Sequence, residues 1–184
     1  MTSSPAQHIP AAAQGVEPWL SGSHLDVPAV ARAVLHALEL ALDDIRAWTA
    51  GLTDLEIHTM PLELPPLAFH LRHIARSVDR ILTYAEGSQL SREQLSLLDS
   101  EQVGPQHDER ESLGVLIAEI ETSFKNAAAR IRAIEHSDFN TPRSVGRKQL
   151  PTSVGGALIH VADHTQRHTG QIVTTSRVLK ALRT

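Results

Sequence analysis

The sequence predicts an all-α protein built as a four-helix bundle with a flexible N-terminal arm. Three observations lead to this fold class. Apolar residues recur at steps of three or four through four long segments, which is the period of a helix with one buried face. No stretch of useful length alternates between apolar and polar residues, as a half-buried strand would. Aromatic residues make up only 3% of the chain, so helices that pack together must share a largely aliphatic core.

The first helix follows a segment without apolar periodicity. Residues 1–25 are rich in Pro, Ala, Gly and Ser and are expected to form a flexible tail, while residues 26–184 form the bundle domain. We expect the first helix to begin near Pro28 and to end near Gly51, because proline favours the first helical turn and glycine the residue after the last. Its apolar stripe consists of Val30, Val34, Leu38, Ala41, Ile45, Trp48 and Leu52.

Two further helices follow the same reasoning. The second begins after Pro65 and Pro66 and ends at Gly87. The segment SREQLSLLDSEQ is expected to add a short helix to the connection, and a long third helix runs from about Glu109 to Ile134. The stripe of the second helix is Leu67, Leu71, Ile74, Val78, Ile81 and Leu82, and that of the third is Leu113, Leu116, Ile120, Phe124, Ala127, Ile131 and Ile134.

A long polar loop, EHSDFNTPRSVGRKQLPTS, separates the third helix from the fourth. Loops of this length inside a compact domain usually serve a function. Its residues Arg143, Arg147 and Lys148 could steer an anionic substrate, although a solvated basic loop is the simpler interpretation. Thr152 or Ser153 is expected to cap the fourth helix, which continues to about Leu182.

The fourth helix carries histidines at four-residue spacing in the segment HVADHTQRHTG. Its predicted inward stripe is Ala157, Val161, His164, His168, Ile172, Thr175, Leu179 and Leu182, with His160 on the flank. Residues four apart lie ~6 Å apart along a helix, so His164 and His168 can converge on one ion. His160 and His168 lie ~12 Å apart, too far for one ion with bonds of about 2 Å. A third ligand must therefore come from another helix.

The second helix offers that ligand in the segment FHLRHIARS. Periodicity places His70 nearer the apolar stripe and His73 at its edge, so the pattern by itself favours His70. Two successive histidines on an apolar face are difficult to bury, since each needs partners for its nitrogens. The spacing alone is equally compatible with a metal site and with a pair of hydrogen-bonded core histidines.

Two segments resemble the DinB/YfiT-like superfamily. LAFHLRHIARSVDRILTYAEG is similar to the second helix of that family, and LPTSVGGALIHVADHTQRHTGQI is similar to its last helix. The resemblance implies a four-helix bundle in which three histidines bind one divalent metal, commonly zinc or nickel. Matched by motif, the ligands are His73, His164 and His168, so the resemblance selects His73 over His70. His160 matches a position that often holds histidine without ligation, which implies a residue that lines the cavity or hydrogen-bonds nearby.

The same resemblance bears on function. Characterised members include S-transferases and isomerases that use a low-molecular-weight thiol, and members are often homodimers. It therefore implies a metal-dependent enzyme of the thiol-dependent S-transferase or isomerase type, or a hydrolase, acting on a small molecule. The alternative is a non-catalytic bundle that binds a metal or small ligand.

Because metal binding requires neutral imidazoles, we expect the affinity for metal to fall as the pH drops through about 6.5.

Composition excludes several other classes. A net charge of −4 gives no electrostatic footprint for nucleic acid. The absence of cysteine excludes thiolate zinc sites and a cysteine nucleophile. The Glu-x-x-His pairs of di-iron bundles, the HExxH of metalloproteases and a G-x-S-x-G elbow do not occur. No apolar run approaches the roughly 20 residues that span a bilayer and no signal peptide is visible, so we expect a cytoplasmic protein that does not bind membranes.

Overall fold

Helices dominate the computed structural model, which describes residues 16–103, 110–134 and 139–183. The α-helices in these ranges are α1 (Ala29–Thr49), α2 (Leu67–Ala85), α3 (Arg92–Val103), α4 (Leu113–Ile134) and α5 (Val154–Ala181). Short 3-10 helices occupy Pro18–Leu20, Glu56–His58 and Pro61–Glu63, and two strands, β1 (Pro142–Val145) and β2 (Leu150–Ser153), precede α5. The all-α prediction is confirmed, and α3 is the short helix expected in the connection. None of the described helices is long and apolar enough to cross a membrane.

The four long helices form the bundle. Helices α1 and α2 each pack against both α4 and α5, so α1 and α2 lie at opposite corners. The core between them is aliphatic, as the low aromatic content requires. Its fully buried large side chains include Ile45, Leu71, Ile74, Leu82, Leu116, Ile120, Ile131, Leu158 and Ile172.

The helix ends follow the predicted signals. Gly51 and Gly87, with φ of +76° and +84°, lie just beyond α1 and α2, in the left-handed conformation that glycine adopts at little cost. Ser153 caps α5, where its hydroxyl oxygen accepts a hydrogen bond of 3.1 Å from the backbone N–H of Gly156. The predicted start of the third helix at Glu109 lies outside the described residues, and α4 begins at Leu113.

The loop before α5 contains two short strands that the sequence pattern did not predict. β1 and β2 pair as an antiparallel hairpin in which Pro142 lies opposite Ser153 and Val145 opposite Leu150. Each strand has only four residues, and none of them is fully buried, so no apolar alternation marks them in the sequence. The hairpin is attached to the bundle by Arg143, whose Nε donates a 2.7 Å hydrogen bond to the carbonyl of Ala85.

The predicted inward stripe of α5 also needs correction. Leu182 is 59% exposed, whereas Thr165 and Thr169 are fully buried. Because α5 packs against both α1 and α2, its buried face is broader than one stripe of large apolar residues. The hydroxyl of Thr169 bonds to the carbonyl of Thr165 in the preceding turn at 2.9 Å, whereas the hydroxyl of Thr165 has no hydrogen-bond partner among the described residues.

The described part of the predicted N-terminal arm lies against α1. The 3-10 helix at Pro18–Leu20 packs on α1, and the hydroxyl of Ser23 lies 3.0 Å from Nε2 of His36. Residues 1–15, the remainder of the predicted tail, lie outside the described residues.

Candidate metal centre

Three histidines meet where α2 packs against α5. His73 comes from α2, and His164 and His168 from α5. One ring nitrogen from each can be chosen so that all three lie within 4.8 Å of one another. The ring centroid of His168 lies 4.5 Å from that of His73 and 4.7 Å from that of His164. The structure thus brings together the three residues that the resemblance selected, and metal ligation by them stays a prediction.

The spacing of the nitrogens suits a single small cation. Two nitrogens bound to one tetrahedral zinc at about 2.1 Å lie about 3.4 Å apart. In the structure Nε2 of His73 and Nε2 of His164 are 2.9 Å apart, so only a small outward shift of the rings is needed. Imidazole is a ligand that both zinc and nickel accept. The residues present therefore fit the divalent metal that the resemblance implies.

His73 is oriented by a carboxylate from α3. Its Nδ1 lies 2.8 Å from Oε2 of Glu101, and Arg80 donates to both carboxylate oxygens at 2.7 and 3.2 Å. Burial raises the pKa of Glu101, but the hydrogen bonds from His73 and Arg80 outweigh it and hold the pKa below the usual range. An ionised carboxylate only accepts hydrogen bonds, so Nδ1 of His73 must carry the proton and Nε2 is left to bind a metal.

His70, the residue that periodicity favoured, lies behind the trio. It is only 4% exposed, and its Nδ1 lies 2.9 Å from Nδ1 of His168. We assign the shared proton to His168, because this leaves Nε2 of His168 free to face His73 and His164. Nε2 of His70 is buried without a hydrogen-bond partner among the described residues. The pattern correctly predicted that His70 is buried, but the structure uses it to support a candidate ligand.

Two members of the trio, His164 and His168, offer neutral nitrogens. Burial, together with charge repulsion from His73, lowers the pKa of His164 and His168 to about 4 each. The pKa of His70 is lowered to about 4 by the same two causes. These imidazoles are therefore unprotonated at neutral pH, as metal binding requires.

His160 lies at the edge of the site. Its side chain is 50% exposed, and its Nδ1 lies 2.8 Å from a carboxylate oxygen of Asp163. It does not belong to the group whose nitrogens converge. His160 also lines a cavity beside the site, and its role as a flank histidine without ligation stays a prediction.

A cavity of about 300 Å³ opens beside the trio. His73, His164 and His160 form one part of its wall. The rest comes largely from apolar side chains of α2, the residues around α3, the hairpin and α5, namely Ile81, Tyr84, Leu90, Leu98, Val145 and Ala157. The loop between α4 and α5, for which we expected a functional role, thus contributes a wall of the cavity.

The basic residues of this loop do not act together. Arg143 donates hydrogen bonds to the carbonyls of Ala85 and Pro142, which makes it an anchor of the hairpin. Arg147 and Lys148 are exposed in the turn between the strands and do not line the cavity. The geometry favours the simpler interpretation of a solvated basic turn over substrate steering.

Sequence reasoning missed Glu101 and Arg80. Glu101 follows His73 by 28 residues on a separate helix, and no local motif connects the two. The available signal was Arg80, which the helical period places on the largely buried surface of α2, where a charge requires a partner. That signal indicates a buried carboxylate but does not identify which one.

A second group of potential ligands occurs at His24, His36 and Glu39. Nε2 of His24 lies 2.6 Å from a carboxylate oxygen of Glu39, and Nη2 of Arg132 lies 2.7 Å from its Nδ1. The guanidinium only donates, so Nδ1 of His24 accepts and Nε2 carries the proton that Glu39 receives. With both nitrogens of His24 engaged and a cationic arginine adjacent, this group joins the N-terminal segment to α1 and α4 and is not suited to a metal.

Comparison with known proteins agrees with this geometry. The family model of the DinB superfamily matches residues 37–172, a span that contains His73, His164, His168 and nearly all of the bundle. Among curated proteins, none matches the chain. The match covers well over half of the sequence, and the chain therefore belongs to the DinB superfamily.

Proposed function

We propose that this protein is a metal-dependent enzyme that binds one divalent ion, zinc or nickel, through His73, His164 and His168. The proposal depends above all on one observation. Two of the three histidines form part of the wall of the 300 Å³ cavity, so an ion held by them would be accessible to a small molecule. Structural metal sites are usually closed by a fourth protein ligand.

The described residues favour an open coordination sphere. The converging group contains three histidines and no fourth ligand. Glu101, the nearest carboxylate to His73, pairs with Nδ1, the nitrogen turned away from His164. When bound, a divalent ion supplies Lewis acidity, which lowers the pKa of a bound water or thiol.

The cavity wall suggests which chemistry its residues support. Ile81, Leu90 and Leu98 make part of the wall apolar, and they suit an apolar substrate or a soft thiol better than a highly charged one. Tyr84 and Thr152 also line the cavity, and we propose that their hydroxyl groups orient a polar group of the substrate. We therefore propose a thiol-dependent S-transferase or isomerase, with a hydrolase as the second choice within the enzyme class.

A low-molecular-weight thiol would be the nucleophile in such a reaction. The chain itself contains no cysteine, so no protein thiolate competes for the ion. The proposed partner is a small-molecule substrate, with neither nucleic acid nor membrane involved, in a cytoplasmic homodimer.

A non-catalytic bundle that binds a metal or small ligand is the alternative. One observation favours it: the charged residue in the cavity wall, Arg80, is already neutralised by Glu101. The wall therefore offers no free charged group to act as acid or base beyond the histidines.

Metal analysis tests the first step of the proposal. Protein purified without a histidine tag should retain one equivalent of zinc or nickel after dialysis, measured by inductively coupled plasma mass spectrometry. Retention of no metal by the wild-type chain would contradict the proposal.

Cobalt substitution then separates the enzyme from the alternative. If the ion has an open position, adding 2-mercaptoethanol to the cobalt(II) protein should produce a sulfur-to-cobalt charge-transfer band in the near ultraviolet. A cobalt spectrum that does not respond to the thiol would favour the non-catalytic bundle.

A further inference from the structure

We propose that Glu101 is a positioning residue that couples metal binding at the three-histidine site to the docking of α3 beside the cavity. The inference rests on the proposed metal site and concerns how that site is regulated. It starts from the way α3 is attached to the rest of the molecule.

Apolar packing attaches α3 only weakly. Leu95 is 37% exposed, Leu97 and Leu98 are half-buried, and no residue of Arg92–Glu101 is fully buried. The helices of the bundle, by contrast, each bury several large aliphatic side chains. Elements with little buried apolar surface open at low free energy, so α3 depends on its polar contacts to stay docked.

Among the described residues, the side-chain hydrogen bonds between α3 and the bundle all reach α2. Gln94 donates to a carboxylate oxygen of Asp79 at 2.6 Å, and Arg76 donates to the hydroxyl of Ser100 at 3.1 Å. Both lie at part-buried or exposed positions, where water can replace them. The side chain of Glu101 is only 4% exposed, so its bonds to Arg80 and His73 contribute most to docking.

Glu101 also connects α3 to the site. A metal bound at Nε2 of His73 requires the proton to be on Nδ1, and this is the tautomer that donates to Glu101. When α3 undocks, His73 loses the acceptor that fixes its tautomer and ring orientation. Leu98 leaves the cavity wall in the same step, so undocking both weakens the metal site and opens it.

The coupling must act in both directions. If docked α3 raises metal affinity by some factor, thermodynamic linkage requires that bound metal favour docking by the same factor. Removing a hydrogen-bond partner of a metal ligand typically weakens affinity about 10–100-fold. We therefore expect a zinc-dependent stabilisation of α3 of about the same size.

Zinc affinity of four proteins measures the first half of the coupling. Competition against a chromophoric chelator gives each zinc affinity. Asp99→Asn, which replaces an exposed carboxylate on the same helix, should bind zinc with the wild-type affinity. Glu101→Ala should bind zinc about 10–100-fold more weakly than the wild type. Glu101→Gln should lose less zinc affinity, because its amide oxygen still accepts a hydrogen bond from His73. Graded loss in this order supports the proposal, and it keeps the test decisive if the alanine variant folds poorly.

Hydrogen exchange measures the second half. In the wild type, zinc should slow exchange of the amides of Leu95–Glu101 by about the factor that Glu101→Ala loses in affinity. In Glu101→Ala, these amides should exchange faster than in the wild type, and adding zinc should no longer slow them. The ¹⁵N shifts of His73 should report the Nδ1–H tautomer in the wild type and a tautomer mixture in metal-free Glu101→Ala, a signature that simple loss of packing would not produce.

Each of three outcomes would contradict a different part of the proposal. Equal zinc affinity of Glu101→Ala and the wild type would overturn the positioning role of Glu101. Zinc-independent exchange in α3 of the wild type would overturn the coupling. A wild-type protein that binds no zinc or nickel would instead overturn the proposed function, and this inference with it.

Discussion

His168 is the residue whose removal best separates metal binding from folding. It is half-buried and makes a 2.9 Å hydrogen bond to His70, but it is not among the fully buried core residues. We expect His168→Ala to abolish stoichiometric metal while the helical content persists. The loss in stability should be about 1–3 kcal/mol, since buried His70 is left without its partner. Mass spectrometric metal analysis and circular dichroism measure the two effects.

His160→Ala is the matched control for this prediction. It removes a histidine from the flank of α5, one that is half-exposed and pairs with Asp163. Metal stoichiometry should be unchanged in this variant. Equal loss of metal in both variants would mean that His160 is a ligand and that the assigned set is wrong.

The buried histidines should make the metal-free protein sensitive to acid. Burial lowers the pKa of His70, His164 and His168 to about 4, while an unfolded chain has histidine pKa values near 6.5. Between these values the unfolded chain binds more protons than the native one, so stability is fully present above about pH 6.5 and falls as the pH drops towards 4. The free energy of unfolding should change by at most about 1.4 kcal/mol per pH unit for each histidine. Urea denaturation at pH 7.5, 6 and 5 measures it, and a flat profile would contradict the burial of neutral imidazoles.

These lowered pKa values also change the pH at which we expect metal affinity to fall. Ordinary histidines would lose metal as the pH drops through about 6.5. The lowered pKa values of His164 and His168 move proton competition at these two residues to more acidic solutions. The low dielectric of the packed helices causes this change, and the sequence does not specify it.

At the scale of single elements, the start of α5 matters because this helix carries two of the three candidate ligands. Ser153→Ala should cost about 1 kcal/mol, since it removes the acceptor for the backbone N–H of Gly156. Thr174→Ala, at an exposed position of the same helix, is the control and should cost much less. Urea midpoints compare the two, and equal midpoints would show that the cap contributes nothing.

The roles of helix α3 and the hairpin could not be predicted from the sequence of each element alone. The sequence predicted α3 as a short helix, but nothing in its pattern indicated that Glu101 reaches His73. The hairpin escaped prediction because its four-residue strands pair with each other and none of their side chains is fully buried. Both elements acquire their roles from what they pack against, and a local pattern does not record that.

At the scale of the whole molecule, we expect the bundle to fold without metal. The core of buried aliphatic side chains extends through all four long helices, and burial of that area is the main source of stability in such a domain. The candidate site occupies only one interface, between α2 and α5. Circular dichroism after chelation should therefore show an intact helical spectrum, with a lower melting temperature than in the zinc-bound form. Loss of helix at room temperature would make the ion a structural element and would remove the main physical support for an enzyme.

The sequence by itself determined the four long helices and their order along the chain. Helical periodicity, Gly51 and Gly87 as helix stops and Thr152 or Ser153 as a cap are local properties of the chain, and in the structure Ser153 is the cap. The spacing of His164 and His168 likewise determined that one helix face could offer two ligands. These inferences succeed because backbone geometry acts over a few residues.

Only the tertiary structure decided which partners complete the site. Periodicity favoured His70 and the family motif favoured His73, and the packing of α2 on α5 places His73 in the trio and His70 behind His168. Glu101, Arg80 and the cavity wall come from segments far apart in the chain. A side chain at the edge of a helical stripe can face either of two neighbours, and only the position of the neighbouring helix determines which one it meets.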